Sequence, residues 1–408
     1  MGLGCMINKR RFKNCILPII LIFALVCPAA LMAQQKAYAE EENEEYSIID
    51  QQTQSDEVKS IEEQLERYKD ERLDDILPGY DPENMITDMA KGKYDFDIPG
   101  LANRLLGYLF EEIYLNIDIL IKLIVLVVLC AVLNNLQTSF LNKSTGELAF
   151  YVCYIVLVSI LLVSFNSIVK SGIEIIDGMV NFMYASIPAL VTLLVSSGNI
   201  VSGGALQPIL VLVVQVSATI IKNILIPLIV LSTIISIVDN VSEKIQITRF
   251  SAFLKNITQW SLGIILTVFV AIVSLQGSLG AVVDGVTSKT AKFAINMFIP
   301  VAGKYLADAA DTVIGCTLLI KNAVGVAIMI GIIGICLIPI VEMFAVILIY
   351  RMTCVLLEPL AEGRIIKCIS EVASSMTYIL GAVASVAFMF LITVTVLILA
   401  SNISVMIR

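Results

Sequence analysis

From Ile117 onward the chain is a succession of apolar runs, among them Leu206 to Val238 and Ala323 to Tyr350, 33 and 28 residues long with a single charged residue in each. A helix needs about 20 predominantly apolar residues to cross a ~30 Å hydrocarbon layer. Runs of this length and purity are too apolar for the core of a soluble domain, so they constrain the chain to a polytopic, all-α membrane protein. The interior of a bilayer tolerates only backbone that satisfies its own hydrogen bonds.

Composition agrees with that reading and also divides the chain. Hydrophobic residues make up 58% of it, charged residues 15%, and the mean hydropathy is +0.90, where an average soluble protein carries about 25% charged residues. The net charge of −8 conceals an asymmetry. Glu40 to Glu112 holds 22 acidic and 7 basic residues, and Ile113 to Arg408 holds 13 and 15. Three segments follow: a leader over 1–39, an acidic exported segment over 40–112 and a membrane domain over 113–408. The leader has Lys9, Arg10, Arg11 and Lys13 before the apolar stretch Cys15 to Met32, then Ala37-Tyr38-Ala39, the order of a secretory signal with an A-x-A cleavage site. An uncleaved first span is the alternative, and it leaves Glu40 on the same side. No basic cluster is present to neutralise nucleic-acid phosphates.

In the exported segment, Val58, Ile61, Leu65 and Tyr68, followed by Leu73 and Ile76, recur at intervals of three to five between charged residues. This period predicts one amphipathic helix over 56–77, stopped by Pro78-Gly79. Its apolar face either folds back on the membrane domain or docks a partner. A second amphipathic stretch, Leu101 to Tyr114, is expected at the membrane interface.

The membrane domain contains a repeat. Ile187-Pro188 recurs as Ile299-Pro300, and Leu225-Ile226-Pro227 as Leu337-Ile338-Pro339, both at a spacing of 112. The same offset superposes the connector Asn240 to Asn256 on Met352 to Cys368, giving tandem units of about 112 residues over 148–259 and 260–371. Pro188, Pro227, Pro300 and Pro339 are predicted helix breaks, since proline removes a backbone donor and clashes with the preceding turn. Ser196-Ser197-Gly198-Asn199 through Pro208 is polar enough for a further break. The two connectors carry Lys244, Arg249, Lys255, Arg364 and Lys367, with Arg351 just before the second, which places both in the cytoplasm by the positive-inside rule. Six to eight crossings accommodate these constraints. Lys289, Lys292, Lys304 and Lys321 fall on the outer side in that arrangement and oppose it.

Polar groups within apolar runs mark mechanism, because each is costly in lipid unless paired or wet. Lys222, with Gln215 before it and Pro227 after it, and Glu342, just after Pro339, occupy such positions, and they are expected either to pair across the repeat or to line a polar path. The alternative for Lys222 is snorkelling to an interface. Glu174 and Asp177 read as solvated flanks of a connector. Gly325, Gly331, Gly334 and Gly381 are expected at close helix contacts.

Catalytic signals are absent. There is no histidine, no GxxxxGK[ST] nucleotide loop and no GxSxG elbow or HExxH pair. The nine cysteines form no CxxC, so neither a zinc site nor a disulfide framework is predicted. No cofactor is called for, and the chain reads as a non-enzyme.

The Ser196-Ser197-Gly198-Asn199 motif leading to Gln207-Pro208, the run Glu358-Pro359-Leu360-Ala361-Glu362-Gly363-Arg364 with Cys368, and the closing Asn402-Ile403-Ser404-Val405-Met406-Ile407-Arg408, in this order behind a leader and an acidic segment, resemble the stage III sporulation protein AE family of endospore-forming Firmicutes. The resemblance implies a multi-pass protein of the outer forespore membrane, on the mother-cell side. It implies a place in a channel or feeding complex that supports late forespore gene expression, as pore base or export gate. The implied partners are other stage III membrane and ring proteins and a forespore membrane protein, in an oligomeric assembly. Glu358, Pro359, Gly363 and Arg364 would form a structured cytoplasmic connector. Two other classes remain open on the residues alone, a secondary transporter with a midplane site around Lys222 and Glu342, and a non-conducting scaffold.

Overall fold

The protein was analysed as a computed structural model that describes residues 52–69, 72–77, 80–92, 98–139, 143–241, 247–298, 303–361 and 363–407. The leader, Pro300 and Glu362 lie outside the described residues. Those that are described form helices and short turns, with no strand among them.

Three short helices come first: α1 (Asp56–Arg67), α2 (Leu73–Ile76) and α3 (Pro82–Ala90). Asp56 and Glu57 in the first turn of α1 and Arg67 in its last complement the helix dipole. The predicted single helix over 56–77 is thus two. The Tyr68 N–H closes on the Gln64 carbonyl at 3.2 Å, and the chain turns before Leu73. Next come α4 (Ile98–Leu115) and α5 (Ile117–Ser139), bent by 44° at Asn116. There the Asn116 side-chain amide shares the Glu112 carbonyl with its own backbone N–H, at 2.9 and 3.1 Å, and the Ile119 N–H returns to the Asn116 carbonyl at 3.0 Å.

The rest is a bundle of long helices: α6 (Lys143–Ser196), α7 (Ile200–Ile220), a π-helical turn (Ile221–Leu225), α8 (Ile226–Val241), α9 (Thr248–Phe298), α10 (Gly303–Leu357) and α11 (Gly363–Ile407). Five helical stretches are long and apolar enough to cross a membrane, and the bent α4–α5 pair makes a sixth. The upper part of the expected range of crossings is not reached among the described residues, where Ile187-Pro188 lies inside α6 and makes no extra hairpin. Pro188 and Pro339 break nothing: α6 and α10 run straight through them. Neighbouring helices hold the shape that a lone helix would lose at proline. Among these three described prolines, only Pro227 has a change of helical pitch beside it. The Ile226 N–H reaches back five residues to the Ile221 carbonyl, a wider turn that eases the proline ring past the preceding carbonyls. The expected break after Ser196 is confined to Ser197–Asn199, where Gly198 adopts φ 83°.

Two adjacent connectors define one end of the bundle. The Lys367 ammonium lies 3.9 Å from the Asp239 carboxylate, and Lys255 pairs with Glu371, so the α8–α9 and α10–α11 connectors sit side by side. Helix α6 is antiparallel to α10: Gly178 faces Ile335, Phe182 faces Gly331 and Leu190 approaches Gly325. The α6–α7 turn therefore lies at the far end. Helices α10 and α11 form the centre, with 78% and 72% of their most apolar windows buried, while the α9 window is 17% buried and faces outward.

Glycine permits the closest contacts. A Cβ on Gly331 would meet Leu65 Cδ2 at 2.5 Å and Phe182 Cζ at 2.8 Å, one on Gly334 would meet Leu73 Cδ2 at 2.9 Å, and one on Gly325 would meet Ile398 Cδ1 at 2.5 Å. Gly381 has no such neighbour within 4 Å. Helices α1 and α2 thus seat their leucines in notches of α10.

Candidate functional site

Charged side chains recur at one level of the bundle. At 1.5 Å per residue, Glu342 stands about 22 Å from the connector end of α10 and Lys222 about 29 Å from that of α8. The Lys222 ammonium donates to both oxygens of Asp177 at 2.5 and 2.6 Å. Arg72 Nη1 lies 2.5 Å from Glu342 Oε1 and donates to the Tyr108 hydroxyl at 3.2 Å, while Tyr108 Oη is 3.5 Å from the same carboxylate oxygen. Lys170 and Glu174 are further charged residues on α6 near this height.

The structure does not pair Lys222 with Glu342, as the sequence suggested. Each instead finds a counter-charge elsewhere, from α6 and from the α1–α2 turn. Asp177 was misread as a solvated flank because its partner is 45 residues away and the helix carrying it does not end there. Glu174 is exposed, but it too stands in the middle of α6 and flanks no connector. Gln215 lies two turns before Lys222, with a side-chain oxygen that is buried and without a hydrogen-bond partner among the described residues.

The face of Val58, Ile61 and Leu65, offered by the sequence as a partner-docking surface, is spent inside the chain. All three are at most 1% exposed, packed against α6 and α10, and Tyr68 meets the Phe182 ring edge-on at 5.8 Å. The charged side of α1 points outward, with Lys59, Glu63, Glu66 and Arg67 exposed.

A second polar network lies at the connector end. Asp239 accepts from the Ile247 N–H at 2.7 Å and from the Thr248 hydroxyl, capping α9. Glu371 accepts from Lys255 and from the Ser236 hydroxyl, which is 2.5 Å from Ser251 Oγ. Sequence reasoning missed Glu371; the signal was an isolated acid in an uncharged run that reaches Ile407. Beside this network, Glu358 and Pro359 are exposed in a tight turn, where the Leu360 and Ala361 N–H groups return to the Leu357 carbonyl, and Gly363 and Arg364 open α11. Among the described residues no cluster of acidic or cysteine side chains is arranged to hold a metal ion.

The family model of stage III sporulation protein AE matches residues 80–401. The chain belongs to that family. Stage III sporulation protein AE of Bacillus subtilis (strain 168) is 36% identical over 323 residues, which covers 79% of this chain and 81% of that protein. No solved structure matches. The family match takes in Asp177, Lys222, Tyr108 and Glu342 but begins after Arg72, so the cation that neutralises Glu342 comes from outside the matched region.

Proposed function

We propose that this member of the stage III sporulation protein AE family is a membrane-embedded subunit of the channel complex that joins mother cell and forespore, seated in the outer forespore membrane with residues 40–112 in the intermembrane space. The observation that carries the reading is a family chain whose helices are far longer than a bilayer is thick. At 46 residues, the stretches Tyr151–Ser196 and Thr312–Leu357 are about 69 Å long against a ~30 Å slab. A protein built this way stands in one membrane and rises toward the next.

The positive-inside rule puts both connectors in the cytoplasm, and six crossings counted from α5 then leave the acidic segment and the far end of the bundle outside. A tandem origin fits the bundle as well. An offset of 112 lays α6 on α9, the α7–α8 stretch on α10 and α9 on α11, and it equates Lys255 with Lys367, two lysines that both pair at the connector end. The exported segment is the part available to ring proteins and to a forespore membrane protein.

A scaffold reading is favoured by one observation: Lys222 and Glu342 are each neutralised by a close partner of the same chain rather than facing each other across a path. Complementation of a deletion strain separates the readings. Wild type is expected to rescue late forespore reporter activity and forespore integrity after engulfment. Glu342→Gln and Lys222→Met fail to rescue if the charged layer conducts, and rescue if it only holds the bundle together. Normal sporulation in the deletion strain overturns the sporulation role.

A further inference from the structure

The charged layer divides the bundle into two tiers. Toward the connector end, α8 carries no charge from Ile226 to Val238. There it exposes Leu231, Ile234 and Val238 and buries Ser232, Thr233 and Ser236, the pattern of a helix that faces lipid. Beyond the layer stands the α6–α7 hairpin, uncharged from Gly178 to Ile221, with Leu212 and Val216 on its exposed face. One ~30 Å hydrocarbon slab cannot contain both tiers. The far tier is the one in water, because α1 climbs along it. Leu65 and Phe182 meet at Gly331, Gln52 reaches Thr317 about 21 Å higher, and the outward side of α1 over that height carries Lys59, Glu63 and Glu66.

Inside the slab, α6 reverses the lipid-facing pattern of α8. Its exposed side carries Asn166, Ser167, Lys170 and Glu174, at spacings that keep them on one face. Asn166 and Lys170 lie 11 and 7 residues before Asp177, which is level with Lys222. They therefore stand about 12 and 18 Å from the connector end, in the middle of the hydrocarbon. None of the four side chains has a hydrogen bond or ion pair among the described residues. Side chains on a helix slant toward its N-terminus, here the connector end, so Asn166 and Lys170 lean deeper into the slab rather than out of it.

Polar groups also flank this stripe. Helix α5 packs along α6 with the Cys130 and Cys153 thiols in contact, which sets its exposed Asp118 and Lys122 level with residues 165 and 161 of α6. Helix α7 packs along α6 as well, and there Lys222 holds Asp177 and Asn223 is exposed. Upward, the stripe passes Asp177 and reaches the exposed Asn181, about 22 Å above Asn166. Downward it stops at the exposed Leu162 and Val163, below which the Ser159 hydroxyl is spent on the Ile155 carbonyl at 2.9 Å.

We propose that the Asn166–Asn181 stripe of α6 lines a water-filled inlet, which opens on the side of the acidic segment, descends to the middle of the membrane and ends on Leu162 and Val163. The inlet rests on the membrane placement proposed above and adds its lining. Two observations select water as the occupant. Hydrocarbon penalises an ammonium, a carboxylate and an amide that have no partner, and Lys170, Glu174 and Asn166 differ in this from Lys222 and Glu342, which are neutralised within the chain. The stripe is also continuous with the layer, where the Lys222 and Asp177 side chains are 32% and 45% exposed, so water at the layer has an unbroken polar track downward. Lys170 and Glu174 cancel in charge, which suits the inlet to small hydrophilic solutes without net charge.

The test uses the full-length chain in intact cells and a membrane-impermeant methanethiosulfonate, with modification read at the introduced cysteine by peptide mass so that native cysteines do not interfere. Asn166→Cys and Lys170→Cys are expected to react from outside within a few-fold of Glu63→Cys on α1, while Leu231→Cys, at about the same depth on α8, does not react. Ser167→Cys is the near-isosteric variant that keeps the test if either of the others is not produced. The proposal is overturned if Asn166→Cys and Ser167→Cys resist as Leu231→Cys does, as a face covered by lipid or protein would, or if they react only after permeabilisation, as a path from the cytoplasm would. Reaction at Lys170→Cys alone overturns it too, since a shallow dip of the membrane surface gives that pattern. Glu63→Cys reports the placement separately: its labelling beside a silent Asn166→Cys sinks the inlet and leaves the placement standing, whereas its own failure to label from outside sinks both.

Discussion

At Gly331 the space for a side chain is already filled by Leu65 of α1 and Phe182 of α6. Overpacking a well-packed contact costs about 1–3 kcal/mol, and the cheapest relief is to release α1, since Phe182 is held within the bundle. Gly331→Leu is therefore expected to speed tryptic cleavage after Lys59 and Arg67 several-fold in vesicles presenting that face, while Gly381→Ala, with no neighbour within 4 Å, leaves the rate unchanged. Lys321 makes the opposite argument. It is fully buried, with a single described hydrogen bond to the Ile398 carbonyl at 3.1 Å. A buried ammonium without a counter-charge destabilises a core, and an apolar side chain of similar volume is commonly neutral or stabilising in its place. Lys321→Met is expected to leave the melting temperature in detergent unchanged or higher; a marked drop would show that the ammonium holds α10 to α11. The Arg72–Glu342 pair, with side chains 49% and 36% exposed, is a partly solvated bridge. A double-mutant cycle of Arg72→Ala and Glu342→Gln on thermal stability should return a coupling of about 0.2–1 kcal/mol.

Individual helices show where sequence reading succeeds and where it stops. The period of Val58, Ile61 and Leu65 fixed the inward face of α1, because a 3.6-residue repeat identifies a face whatever covers it. It could not choose the cover, since the notches at Gly331 and Gly334 belong to a helix more than 250 residues away. The apolar runs announced the long helices for the same local reason. The prolines misled because their cost is local and its compensation is not: Pro188 and Pro339 sit inside continuous helices with neighbours on several sides. Asp177 was legible only as a charge, its partner being fixed by how the hairpin closes. Pro227 is the proline whose local effect survives, as the π-helical turn that carries Lys222. One inserted residue turns the helix by about 100°, so the turn decides which way Lys222 points. Pro227→Ala restores the missing N–H and removes the ring. It is expected to lower the yield of the disulfide between cysteines placed at 177 and 222, relative to the same pair with Pro227 retained.

On the scale of the molecule, length decides where the membrane lies. Thr312–Leu357 is more than twice the thickness of a hydrocarbon slab, so either the connector tier or the far tier stands outside lipid. Three features agree on the far tier: the charged face of α1 lies along it, Arg72, Tyr108 and Glu342 gather at its base, and the basic connectors terminate the opposite tier. Two of the four lysines that opposed this topology in the sequence, Lys289 and Lys321, fit it once the helices have their true length. Lys289 is exposed on α9, 41 residues or about 62 Å from the start of that helix, well beyond any slab that begins at the connectors, and Lys321 is taken into the core. Accessibility of single cysteines to an impermeant maleimide in intact cells then has a definite pattern. Glu63→Cys and Lys289→Cys react from outside, Leu360→Cys in the connector reacts only after permeabilisation, and Val163→Cys and Val268→Cys resist in both conditions. Outside labelling of Leu360→Cys would invert the molecule. Resistance at Lys289→Cys would instead move the bilayer to the far tier and return the exposed hairpin face to lipid.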